Sequence, residues 1–245
     1  MKTPKITAIM PVKNGAAYIA DAIKSIEQQI IHVSEILVVD DKSTDATSDI
    51  VARIAKNNSA IKLLEGPGNG PGPARNVALE IAGGEVITFL DADDLWPENK
   101  LKLQITRINQ TPHVDVVSGF VRYFDKQAER ALEPAKDSRI VDIFHVHLGA
   151  TIYRKSVFDQ LGYFQEEGRY SEDVDFLLRV REAGIPMTIL RKVTLYYRRH
   201  PDAMTTTVTH NEARDFNSVI MRSIQRRRAI GTTIPMEPFS SLIED

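Results

Sequence analysis

Residues 86–96 read VITFLDADDLW, an apolar and β-branched run that ends in three carboxylates, those of Asp91, Asp93 and Asp94. Such a run is typical of a buried strand. Two carboxylates about 4 Å apart repel each other by roughly 4 kcal/mol at an effective dielectric constant near 20. We therefore expect this cluster either to be well solvated or to face a positive charge.

On both sides of this stretch, apolar strand patterns alternate with amphipathic helix patterns. Strands are predicted at 5–12, 35–41, 60–66 and 85–92, and helices at 16–30, 43–57, 73–84 and 97–109. Continuous apolar strands that alternate with helices indicate a mainly parallel sheet covered on both faces. The sequence therefore predicts an α/β fold, a Rossmann-like domain with a mainly parallel central sheet flanked by helices.

For three of these helices, single residues predict where the helix begins or which face is buried. The second helix has Ser43, Thr44 or Asp45 available as its N-cap, because these residue types accept hydrogen bonds from the first turn. Pro97 is expected to open the fourth helix. The first helix is expected to bury one face, made of Ile19, Ala22, Ile23, Ile26 and Ile30.

The second half of the chain is less regular. Strands are predicted at 114–124 and 187–200, and helices from about Lys155, at 171–184 and at 212–230. Residues 125–139 are polar and are expected to form a loop. The last helix makes a C-terminal helical tail.

Composition limits the class of protein. The chain has 245 residues, a formal net charge of −2 and no cysteine. The charge argues against a nucleic-acid partner, and the lack of cysteine excludes disulfides, thiolate metal sites and cysteine nucleophiles. The N-terminus lacks the pattern of a signal peptide, and no apolar run approaches the roughly 18 residues of a membrane span. We expect a cytoplasmic protein.

Three predicted strands end in polar loops, at PVKNG (11–15), DDKSTD (40–45) and DADD (91–94). In open parallel sheets, ligands bind beyond the carboxyl ends of the strands. These three loops are therefore expected to face one crevice.

The DADD loop is the most specific of these signals. In extended geometry Asp91 and Asp93 would share one face. Mg²⁺ and Mn²⁺ prefer oxygen ligands and are often held by one or two carboxylates together with substrate phosphates. The pair therefore predicts a cation site, with a solvated acidic turn as the alternative. A phosphatase-type DxDxT site would need Thr at position 95, which holds Leu95.

Two further stretches suggest nucleotide contacts. The loop GPGNGPG (66–72) fits neither GxGxxG nor GxxxxGK[ST], so a tight turn competes with a ligand-binding loop. Arg75 follows it near a helix start, where a diphosphate could bind. Asp40 and Asp41 close a strand, and either accept hydrogen bonds from a base or ribose or serve as caps.

The remaining candidates lie later in the chain. Asp173 follows Ser171, the expected N-cap, so it either favours the helix dipole or acts as a general base. His200 is read as structural or solvated from its own surroundings. His145 and His147 share an apparent strand face but lack a third metal ligand. Residues 226–228 are three arginines, either a solvated face or a contact for anionic lipid.

Taken together, these stretches resemble glycosyltransferase family 2, the inverting nucleotide-sugar enzymes of the GT-A fold. The resemblance covers roughly residues 5 to 205 and is specific, because five separate blocks appear in the family's order. The blocks are ITAIMPVKNGAAYIADAIKSI, ILVVDDKSTDATSDIV, GPARNVALEIAGGEVITFLDADDLWPENKL, GATIYRKSVFDQLGYFQEEGRYSEDVDFLLRV and YYRRHPDAMT.

The resemblance implies a role for each matching residue. Asp173 matches the catalytic base, and Asp93 and His200 match positions at the metal or diphosphate. The positions implied for nucleotide-sugar binding are Pro11, Asp40, Asp41, Arg75, Asp91 and Asp93. Lys13 and Lys42 depart from the family pattern beside the nucleotide pocket, so the base preference is left open.

The resemblance also implies the reaction. It predicts metal-dependent hexosyl transfer, with inversion, from a nucleoside diphosphate sugar to an acceptor hydroxyl, in polysaccharide or glycoconjugate biosynthesis. The implied cofactor is Mn²⁺ or Mg²⁺, the donor a UDP-sugar, and the acceptor a saccharide or lipid-linked saccharide. An inactive nucleotide-sugar or glycan-binding module and a nucleotidyltransferase are the alternatives.

The implied organisation is one GT-A domain over residues 1–210, followed by the helical tail at 211–245. Residues 1–110 would form the nucleotide-binding half, and residues 111–210 the acceptor-binding and catalytic half. A peripheral contact of the basic C-terminal helix with the inner face of the membrane, and a homodimer, are left open as partners.

Overall fold

A computed structural model describes residues 3–128, 131–165, 171–201, 210–229, 231 and 236–244. The strands are β1 (Ile6–Val12), β2 (Glu35–Asp40), β3 (Ile61–Glu65), β4 (Val86–Phe89), β5 (Val116–Phe124), β6 (Val141–Ile143), β7 (Ile152–Arg154), β8 (Met187–Arg198) and β9 (Ile243–Glu244). The helices are α1 (Ile19–Glu27), α2 (Thr47–Ala55), α3 (Pro71–Ile81), α4 (Lys100–Gln110), α5 (Lys155–Leu161), α6 (Glu172–Glu182) and α7 (His210–Ala229).

All described strands belong to one sheet, in the order β3-β2-β1-β4-β7-β5-β8-β9, with β6 paired to β5. The pairs β3–β2, β2–β1, β1–β4, β5–β8 and β8–β9 are parallel. Strand β7 is antiparallel to both β4 and β5. The prediction of an α/β fold with a mainly parallel central sheet is confirmed.

The core lies on both faces of this sheet. Along β1, Ala8 and Met10 pack into one buried cluster, whereas Ile9 packs into the other. This alternation follows from the two-residue period of a strand. The continuous apolar run of β1 is thereby explained, because helices cover the sheet on both sides.

The first two helices are shorter than the sequence predicts. Helix α1 ends at Glu27, so Ile30 lies beyond it and is 54% exposed rather than part of the buried face. Helix α2 begins at Thr47 with Ala46 at its cap position, so the predicted cap among residues 43–45 is wrong. Asp45 still accepts the backbone N–H of Thr47 at 3.0 Å.

The fourth strand and the helix after it also differ from the prediction. Strand β4 ends at Phe89, and the chain then turns, with the N–H of Asp94 donating to the carbonyl of Asp91 at 3.1 Å. The expectation that Asp91 and Asp93 extend the strand is therefore wrong. Pro97 precedes helix α4, whose cap residue is Asn99.

The C-terminal segment packs on the domain. Arg226 of α7 donates to Glu182 of α6 at 2.6 Å and to Asp175 at 3.0 Å. Residues Ile243 and Glu244 pair in parallel with β8. Arg226 is therefore an internal ion-pair partner, which corrects its interpretation as a solvated or lipid-binding residue.

The domain boundary at residue 210 stays a prediction. Among the described helices, none combines the length and apolarity needed to cross a bilayer.

Candidate active site

A crevice of about 1560 Å³ opens at the carboxyl ends of the strands. All three predicted loops reach it, through Pro11–Gly15, through Asp41 and Asp45, and through Asp91–Asp93. The start of α6 and the end of β8 form other parts of its wall, with Ser171–Val174 and with Tyr197, Arg199 and His200. The prediction of one shared crevice is confirmed.

The loop after β1 is held by the loop after β2. The N–H of Asn14 donates to Ser43 Oγ at 2.8 Å, and the N–H of Thr44 donates back to Asn14 Oδ1 at 2.7 Å. The N–H of Gly15 donates to Thr47 Oγ1 at 2.9 Å. A Cβ at Gly15 would lie 2.6 Å from Val12, so the turn has no room for a side chain there. These bonds fix one edge of the crevice.

The glycine-rich loop folds around Asp41. The N–H groups of Gly68 and Gly70 donate to the two carboxylate oxygens of Asp41 at 2.6 and 2.8 Å. Both glycines have a positive φ, 88° and 103°, which glycine adopts without steric cost. Asp41 therefore lines the crevice while organising the loop.

Asp40 has a different environment. Its carboxylate accepts the N–H of Ser43 at 2.8 Å and the hydroxyl of Ser48. The residues that line the crevice do not include it. Of the two aspartates, only Asp41 lies where a ligand in the crevice would touch it.

Arg75 is the positive charge that the acidic cluster requires. Its guanidinium donates to Asp91 Oδ1 at 2.7 Å and to Glu172 Oε1 at 2.6 Å, and its side chain is only 4% exposed. Burial by itself would raise the pKa of Asp91, but the charge of Arg75 and its hydrogen bond lower it below its ordinary value. Asp91 is therefore ionised, and it belongs to a three-member ion-pair network.

Asp93 points away from Arg75, towards His200. Its Oδ2 lies 3.1 Å from His200 Nε2, and the imidazole ring packs on Tyr18 with ring centroids 4.5 Å apart. Burial and the charge of Asp91 raise the pKa of Asp93. In the described part of the chain, His200 Nδ1 is buried without a hydrogen-bond partner.

Asp94 is buried behind the crevice wall, with 1% exposure. Its Oδ1 accepts the N–H of Arg198 at 2.9 Å, whereas Oδ2 has no hydrogen-bond partner among the described residues. Burial, together with the charges of Asp93 and Asp91, raises the pKa of Asp94 well above its ordinary value. This aspartate links the DADD turn to the end of β8.

His147 faces the acidic turn from the other side. Its Nε2 lies 3.7 Å from Asp91 Oδ2 and 3.9 Å from Asp94 Oδ2, and ligand atoms of these three residues lie within 4.8 Å of one another. Burial lowers the pKa of His147 to about 4, so the ring is neutral at pH 7. Nδ1 accepts the N–H of Gly149 at 3.0 Å, which assigns the ring hydrogen to Nε2.

This tautomer determines which side-chain atoms of the cluster could bind a cation. A nitrogen that carries hydrogen has no free lone pair for a metal. His147 would have to give up its bond to Gly149 before Nε2 could bind an ion, so the cluster offers only the carboxylates of Asp91 and Asp94 without rearrangement. His200 Nε2 lies at hydrogen-bond distance from the Asp93 carboxylate, but Nδ1 has no partner among the described residues, so the ring hydrogen can move to Nδ1 and leave Nε2 able to bind a metal beside Asp93.

Asp173 lies in the first turn of α6 and lines the same crevice. Its Oδ1 accepts the N–H of Val174 at 2.7 Å. Burial, followed by the negative charges of Glu172 and Asp91, raises the pKa of Asp173 to about 7. Ser171 occupies the cap position but makes no side-chain capping bond. A carboxylate with this pKa is suited to accept a proton at neutral pH.

Sequence reasoning left several wall residues without a role. Glu172, the neighbour of Asp173 at the start of α6, is a partner of Arg75. His147 is the residue before a short 3₁₀ helix (Leu148–Ala150) and not part of a strand. The two possible metal ligands beside it, Asp91 and Asp94, come from the DADD turn. Tyr123 and Tyr197 also line the crevice. Aromatic residues at the ends of two strands are a weak signal, because most such residues belong to a core.

Known proteins share this architecture. The family profile described as "Glycosyl transferase family 2" matches residues 7–162. An uncharacterized glycosyltransferase of Rickettsia typhi is 28% identical over 233 residues, which are 89% of this chain and 70% of that protein. The poly(ribitol-phosphate) β-N-acetylglucosaminyltransferase TarS of Staphylococcus aureus is 28% identical over 225 residues, 88% of this chain and 39% of TarS.

Solved structures agree with these relatives. Residues 1–349 of TarS in complex with UDP-GlcNAc superpose with a TM-score of 0.72 at 25% identity, over 89% of this chain and 66% of that one. The mannosyltransferase PcManGT of Pyrobaculum calidifontis, in complex with GDP-Man and Mn²⁺, gives a TM-score of 0.69 at 21% identity, over 92% of this chain and 65% of that one. The second likeness shows the fold alone. The chain thus spans only part of the length of TarS.

Proposed function

The chain belongs to glycosyltransferase family 2, and we propose that it transfers a hexose-type sugar, with inversion, from a nucleoside diphosphate sugar to an acceptor hydroxyl. The observation that carries this proposal is the placement of Asp173, whose pKa is raised to about 7, in one crevice with the acidic turn at 91–93. Such transfer needs a base for the acceptor and charge neutralisation for the leaving group. The product would belong to a polysaccharide or another glycoconjugate.

The proposed donor is a UDP-sugar, held over β1, β2 and β4. The TarS complexes with UDP-GlcNAc and with UDP support this choice. Pro11 and Asp41 line the part of the crevice proposed for the base, and Asp91 the part proposed for the ribose. Arg75 would keep Asp91 in place. Asp40 would act through the loop that it caps rather than by touching the nucleotide.

A divalent cation, Mn²⁺ or Mg²⁺, would be held by Asp93 and His200, where it would neutralise the departing diphosphate. Carboxylate oxygens are suitable ligands for Mn²⁺ and Mg²⁺, and the unpartnered Nδ1 of His200 could carry the ring hydrogen so that Nε2 would bind the ion, as far as the described residues show. The cluster of Asp91, Asp94 and His147 is the competing position.

Asp93→Ala should abolish Mn²⁺-dependent binding of uridine diphosphate, because the proposed ligand is lost. Isothermal titration calorimetry with and without Mn²⁺ measures this. Asp49→Ala, on the exposed side of α2, is the matched control and should bind normally. Binding that survives Asp93→Ala but is lost in Asp94→Asn would move the cation to the cluster with His147.

The rate of transfer should depend on the ionisation of Asp173. Only the carboxylate can accept the acceptor's proton, and its pKa is about 7, so kcat should fall about tenfold per pH unit below that value.

The same raised pKa means that the folded state binds this proton more tightly than the unfolded state. Its contribution to stability therefore declines as the pH rises from the unfolded value, about 4, to about 7.

A pH–kcat profile between pH 5 and 9, at saturating donor and Mn²⁺, tests this dependence. A kcat that is flat between pH 5 and 7 would exclude Asp173 as the base.

The reaction itself is tested by donor turnover. Slow, Mn²⁺-dependent release of uridine diphosphate from a UDP-sugar, without acceptor, is expected of the enzyme; a binding module would release none, and a nucleotidyltransferase would release pyrophosphate. An NMR spectrum of the product that shows a retained anomeric configuration would contradict inversion.

A further inference from the structure

One wall of the crevice combines two tyrosines with an arginine. Tyr123 on β5 and Tyr197 on β8 are register partners in the sheet, and their ring centroids lie 4.8 Å apart. The guanidinium carbon of Arg199, just beyond β8, lies 4.8 Å from the centroid of the Tyr123 ring. We call these three residues the tyrosine–arginine wall; all of them line the crevice.

Arg199 carries a charge that the described protein does not neutralise. No carboxylate of the described residues lies within 4.0 Å of its guanidinium, and the side chain is exposed to the crevice. The neighbouring Arg198 differs, since it is buried and lies 3.9 Å from Asp21, against the ring of Tyr18. Arg75 likewise donates to two carboxylates, those of Glu172 and Asp91.

The position of Arg199 is nevertheless defined. Its backbone N–H donates to the carbonyl of Phe124 at 2.8 Å, and its guanidinium rests on the face of Tyr123. A cation over an aromatic face keeps its N–H groups directed outward along its edge. The wall therefore presents a preorganised fork of donors to whatever enters the crevice, and such a fork matches an oxyanion.

The order of the strands shows which substrate would meet this wall. Strands β2, β1 and β4, whose ends carry the proposed donor contacts, lie together on one side of the sheet. Strand β7 separates them from β5 and β8, which carry the wall. Lys13, the lysine that lines the crevice, follows β1 on the donor side. The wall thus lies beyond the strands that carry the proposed base and ribose contacts, next to the cation position proposed at Asp93 and His200.

From this geometry we infer that the acceptor is an anionic saccharide or polyol, whose phosphate or carboxylate binds Arg199 while its carbon skeleton packs on Tyr123 and Tyr197. This inference rests on the proposed function, because it places the donor over β1, β2 and β4. Aromatic rings offer an apolar face for a sugar's C–H groups, and the arginine supplies the charge-assisted hydrogen bonds that select an anion.

The test uses the full chain loaded with uridine diphosphate and Mn²⁺, so that the donor half is occupied. Saturation-transfer NMR titrations compare three probes of similar size: glucose 6-phosphate, glucuronate and glucose. We expect at least one anionic probe to bind about tenfold more tightly than glucose, as one charge-assisted contact predicts. Whether phosphate or carboxylate binds better identifies the anion.

Arg199→Gln should remove this difference, weakening the anionic probe about tenfold and leaving glucose unchanged. Arg53→Gln, on the exposed surface of α2, is the matched control and should not alter either. Equal affinities of all three probes for the wild-type chain would overturn the inference. So would an Arg199→Gln variant that binds uridine diphosphate and Mn²⁺ more weakly but keeps the anionic probe, since Arg199 would then serve the donor.

The proposed function is tested separately, by release of uridine diphosphate from a UDP-sugar by the wild-type chain. Selective binding of anionic probes without such release would contradict transferase activity, whereas release without anion selectivity would contradict only the inference about the acceptor.

Discussion

Asp173→Asn is expected to lower the rate of sugar transfer about 10²–10⁴-fold, the contribution typical of a general base, with little change in melting temperature. An asparagine retains the size of the residue and an Oδ1 that can accept the N–H of Val174, as Asp173 does at 2.7 Å. What it loses is the ability to take a proton. Transfer of labelled sugar and a thermal unfolding curve measure the two effects.

The neighbouring carboxylates strengthen this assignment. Glu172 is bound by Arg75 at 2.6 Å, and Asp175 is 2% exposed and bound by Arg179 and Arg226 at 3.0 Å each. Both are committed to ion pairs, whereas Asp173 faces the crevice without a cationic partner within 4.0 Å among the described residues.

Binding of uridine diphosphate with Mn²⁺ by the Asp173→Asn variant should be retained. A helix-dipole role alone would be worth about 0.3–1 kcal/mol of stability. A variant that loses this stability but keeps most of its turnover would assign Asp173 to the helix and make another residue the base.

Arg75→Met should lower the free energy of unfolding by about 3–5 kcal/mol, because breaking a buried ion pair leaves uncompensated charge. Here two carboxylates, Asp91 and Glu172, would lose the same partner. Methionine keeps much of the volume of the arginine stem, so the loss reports mainly on charge and hydrogen bonds. Urea denaturation of wild-type and variant protein at pH 7 measures it.

Two further variants make this measurement specific. Arg53→Met, on the exposed surface of α2, should change stability by less than about 0.5 kcal/mol. Adding Glu172→Gln to Arg75→Met should recover part of the loss, because residues in one ion-pair network are energetically coupled. A loss below about 1 kcal/mol for Arg75→Met would instead favour the solvated acidic turn that the sequence also allowed.

The DADD turn shows what neighbouring residues in the chain could and could not predict. The apolar run before it predicted a buried strand, and β4 is fully buried. The carboxylates were expected to share one face by extending that strand. The turn instead directs Asp91 to Arg75 and Asp93 to His200. Asp94 of this turn accepts the N–H of Arg198, a residue at the far end of β8 that local reasoning does not reach.

Helix ends were also beyond local prediction. The side chains of Ser43 and Asp45 were suitable caps for α2, yet both accept N–H groups from the loop after β1, those of Asn14 and Ala16. Arg226, the first residue of the basic run, was interpreted as solvated, yet it donates to Glu182 of α6. Ser43 and Arg226 thus pair with distant residues, whereas Asp45 bonds both to Ala16 and to Thr47 of α2.

Apolar runs and helical periodicity were sufficient to predict the alternation of strands and helices and the mainly parallel sheet, and the rule for such sheets then predicted the edge at which ligands would bind. These signals are carried by residues that are neighbours in the chain and need no long-range information. Tertiary structure decided which charged and polar side chains meet. Arg75 and Glu172 stand far apart in the chain, as do His147 and Asp94, and only the packing of α3, α6 and the turn before β7 on the sheet brings them together. Charge pairing acts through space, over a few ångströms, so its partners are determined by the fold rather than by proximity in the sequence.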